Sequence, residues 1–140
     1  MDKNIIKGFI TGVWDLCHAG HLLAFKQAKE HCNYLIVGLN VTPRGYKIDK
    51  KKPIESLEER MVRLESCKYI DKIIPYYSEE ESMEILKKEN PDIRFLGDDW
   101  KDKEYRGYNL SIKTIFIDRS HGYSSTNLKK RIYESTKKKI

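Results

Sequence analysis

Cysteine is scarce in this chain, and its count is odd. The 140 residues hold three, Cys17, Cys32 and Cys67. A scattered odd set argues against a disulfide framework and suits a reducing compartment. A zinc site drawn from Cys17, His18, His21 and Cys32 would have no CxxC pair to build on, so no structural zinc is expected. Long apolar runs are missing as well, and none approaches the ~20 residues that cross a bilayer. The start of the chain lacks the basic, apolar and cleavage-site order of a secretory leader. These absences point to a cytoplasmic protein with no membrane span. Acidic residues are in deficit, 21 against 27 lysines and arginines, for a net charge of +6. Much of the excess lies in Lys47 to Lys52 and in Lys137 to Lys139. It reads first as a solvated basic face, and second as a preference for polyanions or small phosphorylated ligands.

What is present is a globular composition, 39% hydrophobic and 34% charged. The length fits one domain able to bury a core, taken as residues 1–135, followed by a basic tail at 136–140. Ile5 to Ile10 reads as a first strand and Ala19 to about Glu30 as a first helix. Tyr34 to Leu39 is almost continuously apolar, as a strand covered on both faces must be. Leu57, Met61 and Leu64 mark an amphipathic helix, started by a capping box of Ser56 and Glu59. A short third strand runs from Tyr69 to Ile74 and is stopped by Pro75. Ser78 and Glu81 repeat the capping pattern for a helix that Asn90-Pro91 closes. Ile93 to Leu96 and Lys113 to Asp118 are the fourth and fifth strands. Ser124 or Ser125 caps a last helix carrying Leu128 and Ile132. The alternation predicts a Rossmann-like α/β domain, with a five-stranded, mainly parallel sheet and helices on both faces.

In such a sheet, ligands bind beyond the carboxyl ends of the strands. Three polar segments fall there: Thr11 to His21, Gly97 to Trp100, and Arg119 to Thr126. The first holds two of the four histidines beside a helix start, where free backbone N–H groups attract phosphate. Gly20 lets backbone approach a ligand closely. Phosphoryl and nucleotidyl transfer depend on positioning and charge stabilisation more than on a covalent catalyst, and His18 and His21 suit that work. Arg119 and the hydroxyls of Ser124, Ser125 and Thr126 suit the outer phosphates.

Several ordered motifs make the chain resemble the cytidylyltransferase-like nucleotidyltransferases. His18-Ala19-Gly20-His21 is their HxGH, preceded by Gly12-Val13-Trp14-Asp15 as their G-x-aromatic-D. Arg119-Ser-His-Gly-Tyr-Ser-Ser-Thr126 is similar to their R-T-E-G-I-S-T, with departures at Ser120, His121 and Tyr123. His121 stands where they carry an acid and is expected to face solvent. Gly97-Asp98-Asp99-Trp100 looks like the GDDW of the bacterial glycerol-3-phosphate cytidylyltransferases. Ile54 to Asp71 resembles their E-x-R-x-x-x-L helix, with Lys68 in place of a second arginine. Asn40-Val-Thr42-Pro-Arg44 departs where they usually have an aspartate.

The resemblance implies transfer of CMP from CTP to a phosphorylated small alcohol, glycerol 3-phosphate first, with release of pyrophosphate. The other acceptors it allows are phosphoethanolamine, phosphocholine and a sugar phosphate, and ATP is the other nucleotide. Readings of another class are a non-catalytic nucleotide sensor and a nucleic-acid-binding module; no nucleic acid is expected. The implied catalytic residues are His18, His21, Lys51 and Arg119. Those implied for the nucleotide are Gly12, Val13, Trp14, Gly20, Asp99, Ser124, Ser125 and Thr126. Arg60, Lys68 and Asp71 are implied for the acceptor. Mg²⁺ would enter mainly on the triphosphate, near Asp99, and the protein would be a homodimer.

Overall fold

A computed structural model of the chain describes residues 4–42, 52–108 and 110–137. Its centre is a five-stranded sheet of order β3-β2-β1-β4-β5, built from β1 (Lys7–Gly12), β2 (Tyr34–Asn40), β3 (Lys72–Tyr76), β4 (Ile93–Gly97) and β5 (Lys113–Ile117). Every pairing is parallel. The helices are α1 (Ala19–Lys29), α2 (Leu57–Glu65), α3 (Glu79–Glu89) and α4 (Ser125–Lys137). Phe25 and Ala28 of α1 and Leu64 of α2 share one core with Val37, Leu39 and Phe95. Leu86 of α3 packs on the opposite face with Phe9 and Ile36. The expected Rossmann-like layering is therefore present, and the sheet is wholly parallel. Among the described residues, no helix is long and apolar enough to cross a membrane.

Local chemistry sets the element ends. The Ser56–Glu59 box is complete, the Ser56 hydroxyl accepting from Glu59 N and the Glu59 carboxylate from Ser56 N. At α3 only half forms: Ser78 Oγ caps Glu81 N, while the Glu81 carboxylate takes the N–H of Tyr77 instead. Asn90 ends α3 in the left-handed region at φ 46°, a conformation asparagine tolerates. Ser124 caps α4, its Oγ accepting from Asn127 N.

Three boundaries depart from the sequence expectation. β1 starts and ends two residues later, leaving Ile5 and Ile6 exposed, because its pairing with β2 runs from Lys7 to Gly12. β3 contains Pro75 rather than stopping before it. It is an edge strand, so the missing N–H costs the sheet no ladder bond on its open side. Among the described residues, the β4-to-β5 crossover holds no α-helix, only a 3₁₀ turn at Asp98–Trp100 followed by irregular chain. Its Leu110 and Ile112 pack on the α3 face.

Candidate active site at the carboxyl ends of the strands

The segment between β1 and α1 is held in a costly shape. Trp14, Leu16 and Cys17 all have positive φ, at 57°, 65° and 33°, a region that side chains with a Cβ normally avoid. Four anchors hold it. The Trp14 indole is buried and donates to the Gly38 carbonyl at 2.9 Å. Glu55 Oε1 accepts from Leu16 N. The buried Asp15 carboxylate accepts from Ile54 N and Glu55 N at 2.8 and 3.0 Å. Arg60 donates to the Val13 carbonyl. Gly12 is needed for this packing, since a Cβ there would lie 2.9 Å from the Trp14 ring. The G-x-aromatic-D pattern is thus the hardware that aims the next residues.

Those residues are the histidines. His18 is the N-cap of α1, and its Nδ1 accepts from Gly20 N at 3.1 Å. A neutral His18 with an accepting Nδ1 carries its proton on Nε2. His21 lies one turn on, its ring stacked on that of His18 at 3.8 Å between centroids and 23° between planes. Its edge meets Trp14 at 5.0 Å. Among the described residues its Nδ1 is buried without a hydrogen-bond partner. Gly20 makes the cluster possible: a Cβ would sit 2.9 Å from His18 and 3.1 Å from His121. Burial first, then the neighbouring His18 and Arg119, pushes the His21 pKa down to about 3. Burial, His121 and Arg119 lower that of His18. The pair therefore meets a ligand as neutral imidazoles at pH 7, and its N–H groups rather than imidazolium charge are what the unliganded site offers.

The facing wall comes from the ends of β4 and β5. Arg119 N donates to Asp98 Oδ2 at 3.1 Å, and its guanidinium pairs with Asp99 at 3.2 Å. Gly97 admits this pair, because a Cβ would lie 2.6 Å from Asp99 and 2.9 Å from Arg119. Ser120 donates twice to the exposed Asp118 carboxylate, holding its pKa below the usual range. His121 lies against the ligand space rather than in solvent. Its Nδ1 accepts from Tyr123 N and its ring stacks on Tyr123 at 5.1 Å.

These walls enclose a cavity of about 460 Å³. Gly12, Val13, Trp14, His18, Gly20 and His21 line it, together with Arg119, His121 and Ser125. Asp99 reaches it through Arg119, and Ser124 stands behind as the α4 cap. Thr126 is exposed and outside the lining. Three segments remote in sequence thus meet, as the sheet rule requires.

The residues expected for the acceptor behave differently. Arg60 is 3% exposed and donates to the carbonyls of Val13, Asn40 and Val41 at 3.1, 2.8 and 2.7 Å. It clamps the ends of β1 and β2 together and does not line the cavity. Asp71 accepts from Leu35 N and pairs with Lys29. That is the amino end of β2, five residues or ~16 Å along the strand from Asn40. Lys68 is exposed three residues earlier, over the Tyr69 ring. Neither Lys68 nor Asp71 is brought to the cavity. Lys51 and Arg44 lie outside the described residues. Arg94, Tyr105, Arg106 and Glu79 do line the cavity, and sequence reading passed over all four. The available signal was a lone arginine inside the buried strand Ile93-Arg-Phe-Leu96.

Comparison with known proteins agrees with this geometry. A family model described as cytidylyltransferase-like matches residues 9–131. The glycerol-3-phosphate cytidylyltransferase of Staphylococcus aureus is 33% identical over 91% of this chain and 96% of that protein. That of Bacillus subtilis is 30% identical over 91% and 98%. The bifunctional protein HldE of Helicobacter hepaticus is 29% identical over 91% of this chain but only 26% of its own length. Among solved structures, a lipopolysaccharide core biosynthesis protein from Thermoplasma volcanium shares the fold, with a TM-score of 0.66 at 24% identity, covering 81% of this chain and 96% of that one.

Proposed function

The chain belongs to the cytidylyltransferase-like family and is a nucleotidyltransferase, and from that premise we propose that it moves CMP from CTP to glycerol 3-phosphate, giving CDP-glycerol and pyrophosphate. One observation carries the assignment of roles: two stacked imidazoles and Arg119 line one cavity. An oxygen of the acceptor phosphate attacks the α-phosphorus in line, and the bond to the pyrophosphate oxygen breaks. His18 Nε2–H and His21 donate to the α-phosphate oxygens, where charge is held as the centre becomes five-coordinate. Arg119 leaves Asp99 for the β- and γ-phosphates, with Ser125 at the α4 N-terminus beside it. No side-chain nucleophile is needed. Mg²⁺ would enter on the triphosphate oxygens, with Asp99 the residue assigned to help hold it, and would lower the charge of the leaving group. A homodimer and a cytoplasmic setting belong to the same reading.

The glycerol-3-phosphate cytidylyltransferases and the HldE protein match nearly the same stretch, so the acceptor panel must be broad. A pyrophosphate-release screen of four NTPs against glycerol 3-phosphate, phosphoethanolamine, phosphocholine and sugar phosphates tests the proposal. CTP with glycerol 3-phosphate is expected to be fastest. Turnover with ATP alone would replace the nucleotide, a faster acceptor would replace glycerol 3-phosphate, and silence with every pair would overturn the catalytic reading.

A further inference from the structure

The cavity contains a cation that the roles above leave unused. Arg94 is the second residue of β4, paired with Phe9 of β1, and is 8% exposed. Among the described residues its NH1 is buried without a hydrogen-bond partner. Its guanidinium stacks over the Tyr105 ring at 5.4 Å, which steadies a cation without neutralising it. Glu79 is the acid that faces it, and that carboxylate is shared with Arg106 at 3.8 Å. Among the described residues, two arginines and one glutamate line this part of the cavity. Gly107, at φ +83°, lies against NH1, where a Cβ would come within 2.9 Å, so no side chain competes for that position.

A buried, under-satisfied guanidinium destabilises a fold, and one that lines a ligand cavity is most simply explained by the ligand. The reaction class requires the site to hold two phosphorylated molecules at once. The imidazoles, Arg119 and the helix N-termini lie with α1 and α4 and serve the nucleotide. Arg94 lies on the α3 face with Tyr105 and Arg106. Arg60, Lys68 and Asp71, the residues expected to take the acceptor, are not brought to this space.

We propose that Arg94 is the anchor for the acceptor's phosphate, assisted by Arg106, and that it determines which phosphorylated acceptor is used. This rests on the nucleotidyltransferase reading. A planar guanidinium grips a phosphate at two oxygens, leaving a third to face the α-phosphorus.

The experiment compares wild type with Arg94→Gln and Arg94→Lys in steady-state kinetics for each substrate, in thermal unfolding, and in calorimetric titration with inorganic phosphate. Arg94→Gln is expected to raise the acceptor KM by at least about tenfold, the usual weight of a hydrogen bond to a charged group. The KM for CTP should stay within about twofold. Arg94→Lys should fall between. Inorganic phosphate should compete with the acceptor on wild type and lose that competition on Arg94→Gln. Because the native partner is the ligand, the unliganded variants should melt no lower than wild type. An unchanged acceptor KM, equal losses for both substrates, or a lowered melting temperature would each overturn the proposal. Were wild type to turn over no pair at all, the reaction reading would fail by itself. Titration with phosphate would then decide Arg94 alone, equal binding to wild type and Arg94→Gln being the result against it.

Discussion

Acid should expose His21. Its imidazole is packed between His18 and Trp14, and burial drives its pKa from an ordinary 6.5 to about 3. The folded state therefore resists protonation, while the unfolded chain takes up a proton near pH 6.5. Stability from this group is fully present above pH 6.5 and is lost as the pH falls from there towards 3. Each pH unit within that window costs about 1.36 kcal/mol. Between pH 7 and pH 5 the loss comes to about 2 kcal/mol, or roughly 6 °C in melting temperature for a domain of this size. His21→Phe keeps a ring of similar shape against His18 and Trp14, removes a buried nitrogen without a partner, and abolishes the titration. Urea unfolding of both proteins at pH 7.5, 6 and 5 isolates the effect, because carboxylates and the remaining histidines contribute to each. The variant should gain on wild type as the pH falls, by about 2 kcal/mol at pH 5. A gap that stays constant from pH 7.5 to 5 would show that His21 titrates like an exposed histidine, and the packing argument would fall with it.

His18→Ala and His21→Ala should each lower kcat by about 10²–10³, the usual weight of one oriented donor at a developing charge, with the KM for CTP changing far less; rates within threefold of wild type would remove the assigned roles. Gly20→Ala should disturb both imidazole rings through its Cβ, 2.9 Å from His18 and 3.1 Å from His121. It should cost more in kcat than in unfolding free energy, and the reverse order would count against a positioning role. Arg60→Met strands three carbonyls at the ends of β1 and β2. Chemical denaturation should show a loss of about 3 kcal/mol at roughly 1 kcal/mol per bond, whereas an acceptor-specific KM change in a fully stable variant would restore the substrate-binding role. Lys68→Ala, exposed at the far end of the sheet, should leave acceptor KM unchanged, and a tenfold rise there would contradict the placement.

The elements most readable from sequence were those whose patterns follow from burial alone. Tyr34 to Leu39 is apolar because helices cover both faces of the sheet, and Ser56–Glu59 is a local cap that needs no tertiary context. β3 was misjudged at Pro75 because an edge and a central strand differ only in what lies beside them. The histidine side of the cavity was legible because glycines, histidines and a helix start sit together in one loop. The part lined by Arg94 was not. Arg60 and Asp71 look like binding residues by type, but spacing does not say whether a side chain sits at the amino or carboxyl end of a strand, or turns inward to carbonyls. Arg94 was hidden by its strand, and Tyr105 and Arg106 by a crossover with no periodicity to read.

The loop between β1 and α1 joins these two halves. Three left-handed residues at about 1–2 kcal/mol each represent some 3–6 kcal/mol of strain. Asp15, Glu55, Arg60 and Trp14 anchor it through five hydrogen bonds, which at about 1 kcal/mol each come to about 5 kcal/mol. The two sums nearly cancel, so the loop adds little to stability, and it is held in shape partly by Glu55 and Arg60, which do not line the cavity. Asp15 accepts from the backbone just before α2, Glu55 reaches back from that stretch to Leu16 N, and Arg60 reaches out from α2 itself. The helix that sequence reading assigned to the acceptor thereby fastens the histidine loop. A substitution in α2 should accordingly appear as a loss of kcat through misaimed imidazoles, and the acceptor KM should respond to Arg94 instead.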